Sequence, residues 1–281
     1  MNYTLTAESV NGIPVYMSKT LLEKYRILVA FSTRSGGWSG APYDSLNLAF
    51  HVGDDETSVT HNREALCAIF DLDPSGLTCA EQVHGCEVAV VDRVAAGAGA
   101  RSFDGAVRGV DALITDVESV PLALFFADCV PVVIVEPRQR VVGVAHAGWR
   151  GVYLGIAGRM LREMAMGWSL DPRTMVAFVG PSIGGCCYQV GGDLIERFTD
   201  RFPDVDSWLH DDRLDLPVLV RHQLRQAGID RSSIFSCDDC CTACHRDALF
   251  SYRADGGVTG RQAAVAAVLP RIDFGRNVDL Y

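Results

Sequence analysis

The 281 residues carry 25 Lys and Arg against 35 Asp and Glu, a net charge of −10, with no long run of like charges. That balance excludes a nucleic-acid backbone or an anionic membrane as partner and points to a small-molecule substrate. With 48% hydrophobic residues the chain can bury a substantial core, so disorder is excluded as well.

The start, Met1 to Ser9, has neither the basic n-region nor the apolar h-region of a signal peptide, and no apolar stretch approaches membrane-spanning length. The expectation is a cytoplasmic protein. In that compartment the ten cysteines read as buried thiols, metal ligands or nucleophiles rather than as a disulfide framework.

Asn11-Gly12 between two short apolar segments predicts an opening hairpin, because both central residues of such a turn take positive φ. Ile27 to Phe31 is a strand candidate, followed by the Gly- and Ser-rich loop that holds Arg34. Val59, Leu66, Ile69 and Phe70 recur at helical spacing, which predicts a helix over 58–70 capped by Thr57 or Ser58. Strands follow at 77–80, 87–91, 110–115, 122–126, 130–135 and 141–145. Several are β-branched and apolar throughout, the pattern of strands covered on both faces. A long helix is expected over 151–166, then a strand at 175–179, the Gly180 to Tyr188 loop, helices near 192–202 and 217–227, and strands at 234–236 and 263–269. The small-residue segment Ala95 to Ser102 is too short for an interdomain linker. The expected fold class is α/β (α+β): one domain over 1–281, with mixed β-sheets layered with helices.

Three residues at the edges of apolar runs stand out: His84 in Gln82-Val-His-Gly85, Cys129 in Ala127-Asp-Cys129, and His146 in Val144-Ala-His-Ala-Gly-Trp-Arg-Gly151. Two imidazoles and a thiol are the donors of a three-ligand zinc site with one open position, an arrangement that serves chemistry rather than scaffolding. The spacing is not a local zinc signature, and partly buried, satisfied histidines remain the alternative. Asp128 closes the apolar run before Cys129, where a carboxylate is costly unless paired or used, and is a candidate general base or a turn anchor. Asp111 is a similar case with a weaker claim. Arg34, Arg63 and Arg150 sit beside glycines, asparagines or a helix start, where a guanidinium can reach a phosphate or carboxylate; Asn47 is flanked by leucines and turned inward.

Cys237-Asp-Asp-Cys240 abuts Cys241-Thr-Ala-Cys244-His245, two C-x-x-C units that offer a second zinc site. The same string reads as a haem attachment, which the missing export signal disfavours. Cys186-Cys187 reads as buried packing. Absent motifs exclude other classes: no P-loop, no H-E-x-x-H, and no H-x-E ahead of P-C-x-x-C. A multicopper oxidase would draw on about ten histidine ligands; this chain has seven histidines.

Taken together, Ser32-Thr-Arg-Ser-Gly-Gly37, Pro42-Tyr-Asp-Ser-Leu-Asn-Leu48, His51-Val-Gly-Asp-Asp55, Asn62-Arg63, Gln82-Val-His-Gly85, Ala127-Asp-Cys-Val-Pro131, His146-Ala-Gly-Trp-Arg-Gly151, Gly180-Pro-Ser-Ile-Gly184 and Thr259-Gly-Arg-Gln262 resemble the laccase-domain, YfiH-like family. Its members are named polyphenol oxidases and purine nucleoside phosphorylases. The resemblance implies a zinc held by His84, Cys129 and His146, one per chain, with copper disfavoured. It also implies phosphorolysis of adenosine, inosine, guanosine and methylthioadenosine, and deamination of adenosine. Purine nucleosides and phosphate are then the partners, with Asp128, Cys129 and His84 as catalytic residues and Arg34, Asn47, Arg63 and Arg150 binding substrate. Trp38 and Gln189 depart from the family pattern. The rival readings are a Cys129–His146 thiol hydrolase acting on peptidoglycan precursors, and a non-enzymatic protein whose zinc sits in the Cys237 to Cys244 cluster.

Overall fold

The computed structural model describes residues 3–237 and 239–271. Two six-stranded sheets lie face to face. The first runs Thr6–Val10, Ile13–Met17, Ile27–Ser32, Gln262–Val268, Leu122–Phe126 and Thr78–Cys79. The second runs Ile234–Ser236, Val176–Val179, Val130–Glu136, Val141–Ala147, Ala112–Thr115 and Val88–Val90. Both are mixed: parallel pairs sit at sheet edges and antiparallel ladders in the middle. The expected α/β architecture of layered mixed sheets is what forms.

Alternation explains why Val130–Glu136 carries no polar face. Val130, Val132 and Ile134 join the cluster under the helices Ile156–Gly167 and Leu216–Gln226, while Val133 and Val135 point to the first sheet and meet Phe31, Leu124 and Ala264. Both faces are dry, so a continuous apolar run is required. On the far side of the first sheet, the helix Glu56–Ala68 and the Leu46 to Ala49 segment cover Leu28, Ala123 and Val265.

The hairpin forms as expected, with Asn11 and Gly12 both at positive φ. Four details differ. The helix Glu56–Ala68 begins earlier than expected because Asp55, rather than Thr57 or Ser58, caps it, accepting from the Ser58 amide at 2.8 Å. The single helix expected over 151–166 is two, Trp149–Leu154 and Ile156–Gly167, broken at Gly155 where φ is +85°. The helix Lys19–Tyr25 is unexpected from periodicity, since it buries only Leu21 deeply and Ser18 gives it no side-chain cap. The short pair Leu209–His210 with Arg213–Leu214 is likewise new.

Candidate metal centre and active site

The strand register builds the site. In the Val130–Glu136 and Val141–Ala147 ladder, Pro131 faces His146 and Val130 faces Ala147, so the next step outward sets Cys129 opposite Gly148. Cys129 continues the row of Val133 and Val135, and His146 the row of Val142 and Val144; both rows face the gap between the sheets. His146 is buried there against Phe126, with ring centroids 5.4 Å apart. A side chain at Gly148 would meet Cys129 Sγ and His84 Cδ2, each at 3.1 Å. The glycine after His-Ala is what lets the thiol and the second imidazole approach.

His84 arrives from a loop pinned at both ends. The Gln82 side chain exchanges two hydrogen bonds with the backbone of Phe125, at 2.8 and 2.9 Å. The amides of Val83, His84 and Gly85 all donate to the Asp111 carboxylate, at 3.1, 3.0 and 2.7 Å. Gln82 and His84 both take positive φ to present these amides. Asp111 also bonds His146 Nδ1 at 2.8 Å, and its carbonyl accepts the His146 amide. One buried carboxylate therefore fixes the His84 loop and the His146 ring together. With Nδ1 occupied, Nε2 of His146 is the nitrogen left for a ligand role.

His84, Cys129 and His146 offer donor atoms that lie within 4.8 Å of one another. The two imidazoles meet edge to face, with centroids 4.7 Å apart. Burial alone would raise the Cys129 thiol, but the charge and hydrogen bond of His146, then those of His84, outweigh it and lower its pKa. Burial works against the His146 imidazolium, yet Cys129 and Asp111 raise its pKa. Two nitrogen donors, a thiol inclined to ionise and a carboxylate behind one imidazole are the chemistry of a three-ligand zinc centre. The residues present fit such an ion.

Asp128 adjoins Cys129, but its carboxylate is taken up by partners outside the cluster. Oδ1 accepts from Thr242 Oγ1 at 2.6 Å and Ser251 Oγ at 2.7 Å, and Oδ2 from the Arg253 amide at 2.7 Å. With φ at +89°, Asp128 turns the chain so that Cys129 enters the intersheet row. Between the two carboxylates, Asp111 is the one bonded to a histidine of the cluster.

The other sequence candidates divide as well. Arg63 is 4% exposed and donates Nε to Leu48 O at 2.8 Å and Nη1 to the carbonyls of Gly99 and Ala100, while its guanidinium stacks on Phe50 and Phe125. Asn47 is fully buried, bonded to the Ala49 backbone, Asp54 and the Arg261 amide. Arg34 holds its own loop through Asp44 and the Arg246 carbonyl and stacks on Phe250. Arg150 is exposed over the Trp149 ring. Trp38 stands 61% exposed, and Gln189 bonds Asp212. None of these four polar candidates is among the three clustered donors.

Three residues without a role by sequence are near enough for charges of the cluster to act on them. Arg261 is close enough for the charges of Cys129 and Asp128 to act on it, although burial lowers its pKa, and its Nη1 donates to the Thr259 and Gly260 carbonyls. Tyr188 is pushed up to about 12, by burial first and then by Cys129. His51 reaches solvent on one side, yet desolvation followed by Arg261 and Arg63 brings it down to about 4, so its imidazole is neutral at pH 7. Arg261 and His51 both fall in motifs shared with the family, the one signal that singles them out.

The cysteines regroup. Cys237 and Cys240 form a disulfide rather than a metal site, a pairing that the cytoplasmic expectation disfavoured. Cys241 and Cys244 instead meet Cys186 and Cys187, and these four thiols lie within 4.8 Å of one another. Cys186 is exposed and Cys187 partly so, which corrects their reading as buried packing.

Residues 28–269 match the family described as multi-copper polyphenol oxidoreductase laccase. The purine nucleoside phosphorylase YlmD of Geobacillus stearothermophilus is 40% identical over 84% of this chain and 88% of its own length. The crystal structure of YlmD from the same organism superposes with a TM-score of 0.88 at 35% identity, covering 96% of this chain and all of the other. An adenosine deaminase, RL5, from an unknown prokaryotic organism is 32% identical over 83% of this chain and 90% of its own. Among the described residues no helix is long and apolar enough to cross a membrane.

Proposed function

The chain belongs to the laccase family just described, and from that membership and the geometry of the site we propose that it is a zinc-dependent purine nucleoside phosphorylase that also deaminates adenosine. Adenosine, inosine, guanosine and methylthioadenosine are the substrates, phosphate is the second reactant, and one domain over 1–281 carries both activities. The observation that carries this reading is the convergence of His84, Cys129 and His146 with Asp111 behind His146.

A zinc ion held by His84, Cys129 and His146 would supply Lewis acidity. The chain's own groups do the rest. Asp111 holds His146 in one tautomer and His84 in one backbone conformation, so the donor set is preorganised. Phosphorolysis joins a phosphate oxygen to C1′ and breaks the bond to the purine nitrogen, and it needs a cation for the phosphate. Arg261 takes that role in this proposal, with exposed Arg150 drawing anions toward the site. In this proposal neutral His51 and the protonated Tyr188 phenol exchange or hold a proton at the departing purine. Arg63, Asn47 and Arg34 build the wall by binding backbone, and Asp128 positions Cys129.

Incubation with adenosine and phosphate, with chromatography for adenine, inosine and ribose 1-phosphate, tests the reading. Adenine with ribose 1-phosphate supports phosphorolysis, and inosine supports deamination. No turnover of any purine nucleoside by zinc-loaded protein refutes both. The thiol-hydrolase reading makes a different demand, since a Cys129–His146 pair alone has no use for His84; retained activity in His84→Ala would favour it.

A further inference from the structure

We propose that Cys186, Cys187, Cys241 and Cys244 form a second, structural zinc site that clasps two loops together and, through them, holds Asp128 beside the first site. The four Sγ atoms lie within 4.8 Å of one another, with Cys186 to Cys244 at 3.6 Å and Cys187 to Cys244 at 3.4 Å. Four sulfurs each about 2.3 Å from one zinc in a tetrahedron stand roughly 3.8 Å apart. The cluster is therefore near the size the ion needs: the Cys186–Cys244 and Cys187–Cys244 pairs widen by a few tenths of an ångström and no pair closes by more than about 1 Å. No disulfide joins these four thiols, whereas Cys237 and Cys240 nearby are joined.

The donor set is all sulfur, with no carboxylate or imidazole among the four ligands. Such a set selects soft cations, and a closed four-coordinate S4 site for Zn2+ is a structural rather than a catalytic one. The surroundings suit thiolate. The Gly184 amide donates to Cys241 Sγ at 3.3 Å, the kind of hydrogen bond that steadies a metal thiolate. An entry path exists: Cys186 and Cys241 line a cavity of about 720 Å³, and Cys186 and Cys244 reach solvent.

The clasp has a destination. The Thr242 amide donates to Ser182 O, and Ile183 N donates to Asp128 O, so both cysteine-bearing loops already bracket Asp128. Thr242 and Ser251 then bind the Asp128 carboxylate. A bridge across 186–187 and 241–244 fixes the relative positions of Ser182, Ile183 and Thr242, and with them the turn that aims Cys129. The outer zinc is separated from the chemistry and contributes by positioning.

Metal analysis of the reduced full chain, with cobalt substitution, tests the proposal. Zinc-saturated protein is expected to hold a second equivalent of zinc beyond the first site. His84→Ala should lose one equivalent and keep the intense sulfur-to-cobalt charge-transfer absorption of a thiolate-rich site. Cys187→Ser combined with Cys244→Ser should lose the other equivalent and most of that absorption, while Cys237→Ser with Cys240→Ser changes neither. Should the double variant fail to fold, alkylation of the wild-type chain decides: Cys186, Cys187, Cys241 and Cys244 should be protected with zinc and labelled after chelation. Unchanged zinc content in the Cys187/Cys244 variant, equal labelling with and without zinc, or a disulfide among the four in place of a second zinc would each overturn the proposal.

Discussion

Replacing Arg63 with Met separates a wall residue from a phosphate ligand. The guanidinium is 4% exposed, gives three hydrogen bonds of 2.8, 2.6 and 3.0 Å to the carbonyls of Leu48, Gly99 and Ala100, and lies 4.2 and 4.7 Å from the centroids of Phe50 and Phe125. Arg63→Met keeps the aliphatic bulk and orphans the three carbonyls, each worth about 1 kcal/mol or more when left buried and unpaired. Loss of the two ring contacts adds about 0.5–1 kcal/mol each. Relief from burying a charge returns part of this, leaving a net destabilisation of about 3–5 kcal/mol. For a chain of this size that lowers the melting temperature by roughly 5–8 °C. The assay pairs a thermal melt with the KM for phosphate, measured well below the melting temperature. The expected outcome is a lower Tm with KM changed less than about twofold, since no transition-state contact is removed. Arg63→Lys keeps the charge but loses the fork, so it should fall between wild type and Met in stability. An unchanged Tm together with a more than tenfold rise in phosphate KM would refute the reasoning and return Arg63 to the substrate.

Asp111→Asn should weaken zinc binding about 10- to 100-fold in chelator competition, because an amide nitrogen would face His146 Nδ1 or the loop amides where a carboxylate now accepts from all of them; unchanged affinity would show that the histidines hold themselves. Gly180→Ala sets a Cβ 2.4 Å from Cδ1 of buried Phe31, and the overlap should cost about 3 kcal/mol or more, seen as a lower urea midpoint or insoluble protein; wild-type stability would contradict the close packing of that turn against the first sheet. Burial pushes Cys67 from 9.0 up to about 12, and raises Cys79 as well. Both thiols remain protonated in the folded chain at a pH where the unfolded chain has lost the protons. The Cys67 contribution is therefore complete below about pH 9 and lost as the pH rises toward 12, and that of Cys79 falls in the same direction, at no more than about 1.4 kcal/mol per pH unit for each thiol. Urea midpoints taken across that range should fall, and the slope should flatten in a Cys67→Ala, Cys79→Ala chain; an equal slope in both would refute the assignment.

The central strands are legible in sequence because their environment is uniform: with both faces of Val130–Glu136 and Val141–Ala147 buried, the apolar run is the strand. Periodicity is silent on Lys19–Tyr25, where one deeply buried leucine sets no rhythm, and it reads across Gly155, where a positive φ rather than any change in hydropathy ends the helix. The candidate metal donors are legible as residue types at strand ends, but their meeting depends on ladder register, which sets Cys129 against Gly148 across 19 residues of sequence. The same limit explains the two aspartates. Asp128 adjoins Cys129 in sequence and so invites a role in the chemistry, yet its turn directs the carboxylate to Thr242 and Ser251, more than a hundred residues on. Asp111 is 27 residues from His84 and 35 from His146, and serves both because the strand it precedes pairs with the strand of His146. Adjacency along the chain points to Asp128, and only the pairing of strands shows that Asp111 is the carboxylate bonded to His146. The cysteines repeat the pattern: Cys240 and Cys241 are neighbours, yet the disulfide claims one and Cys186 and Cys187 claim the other, because the loop after Val176–Val179 returns to the same edge. Ligand sets assembled from separate loops in this way are fixed by the sheets beneath them, so a change in strand register would disturb both candidate metal sites before it disturbed either loop alone.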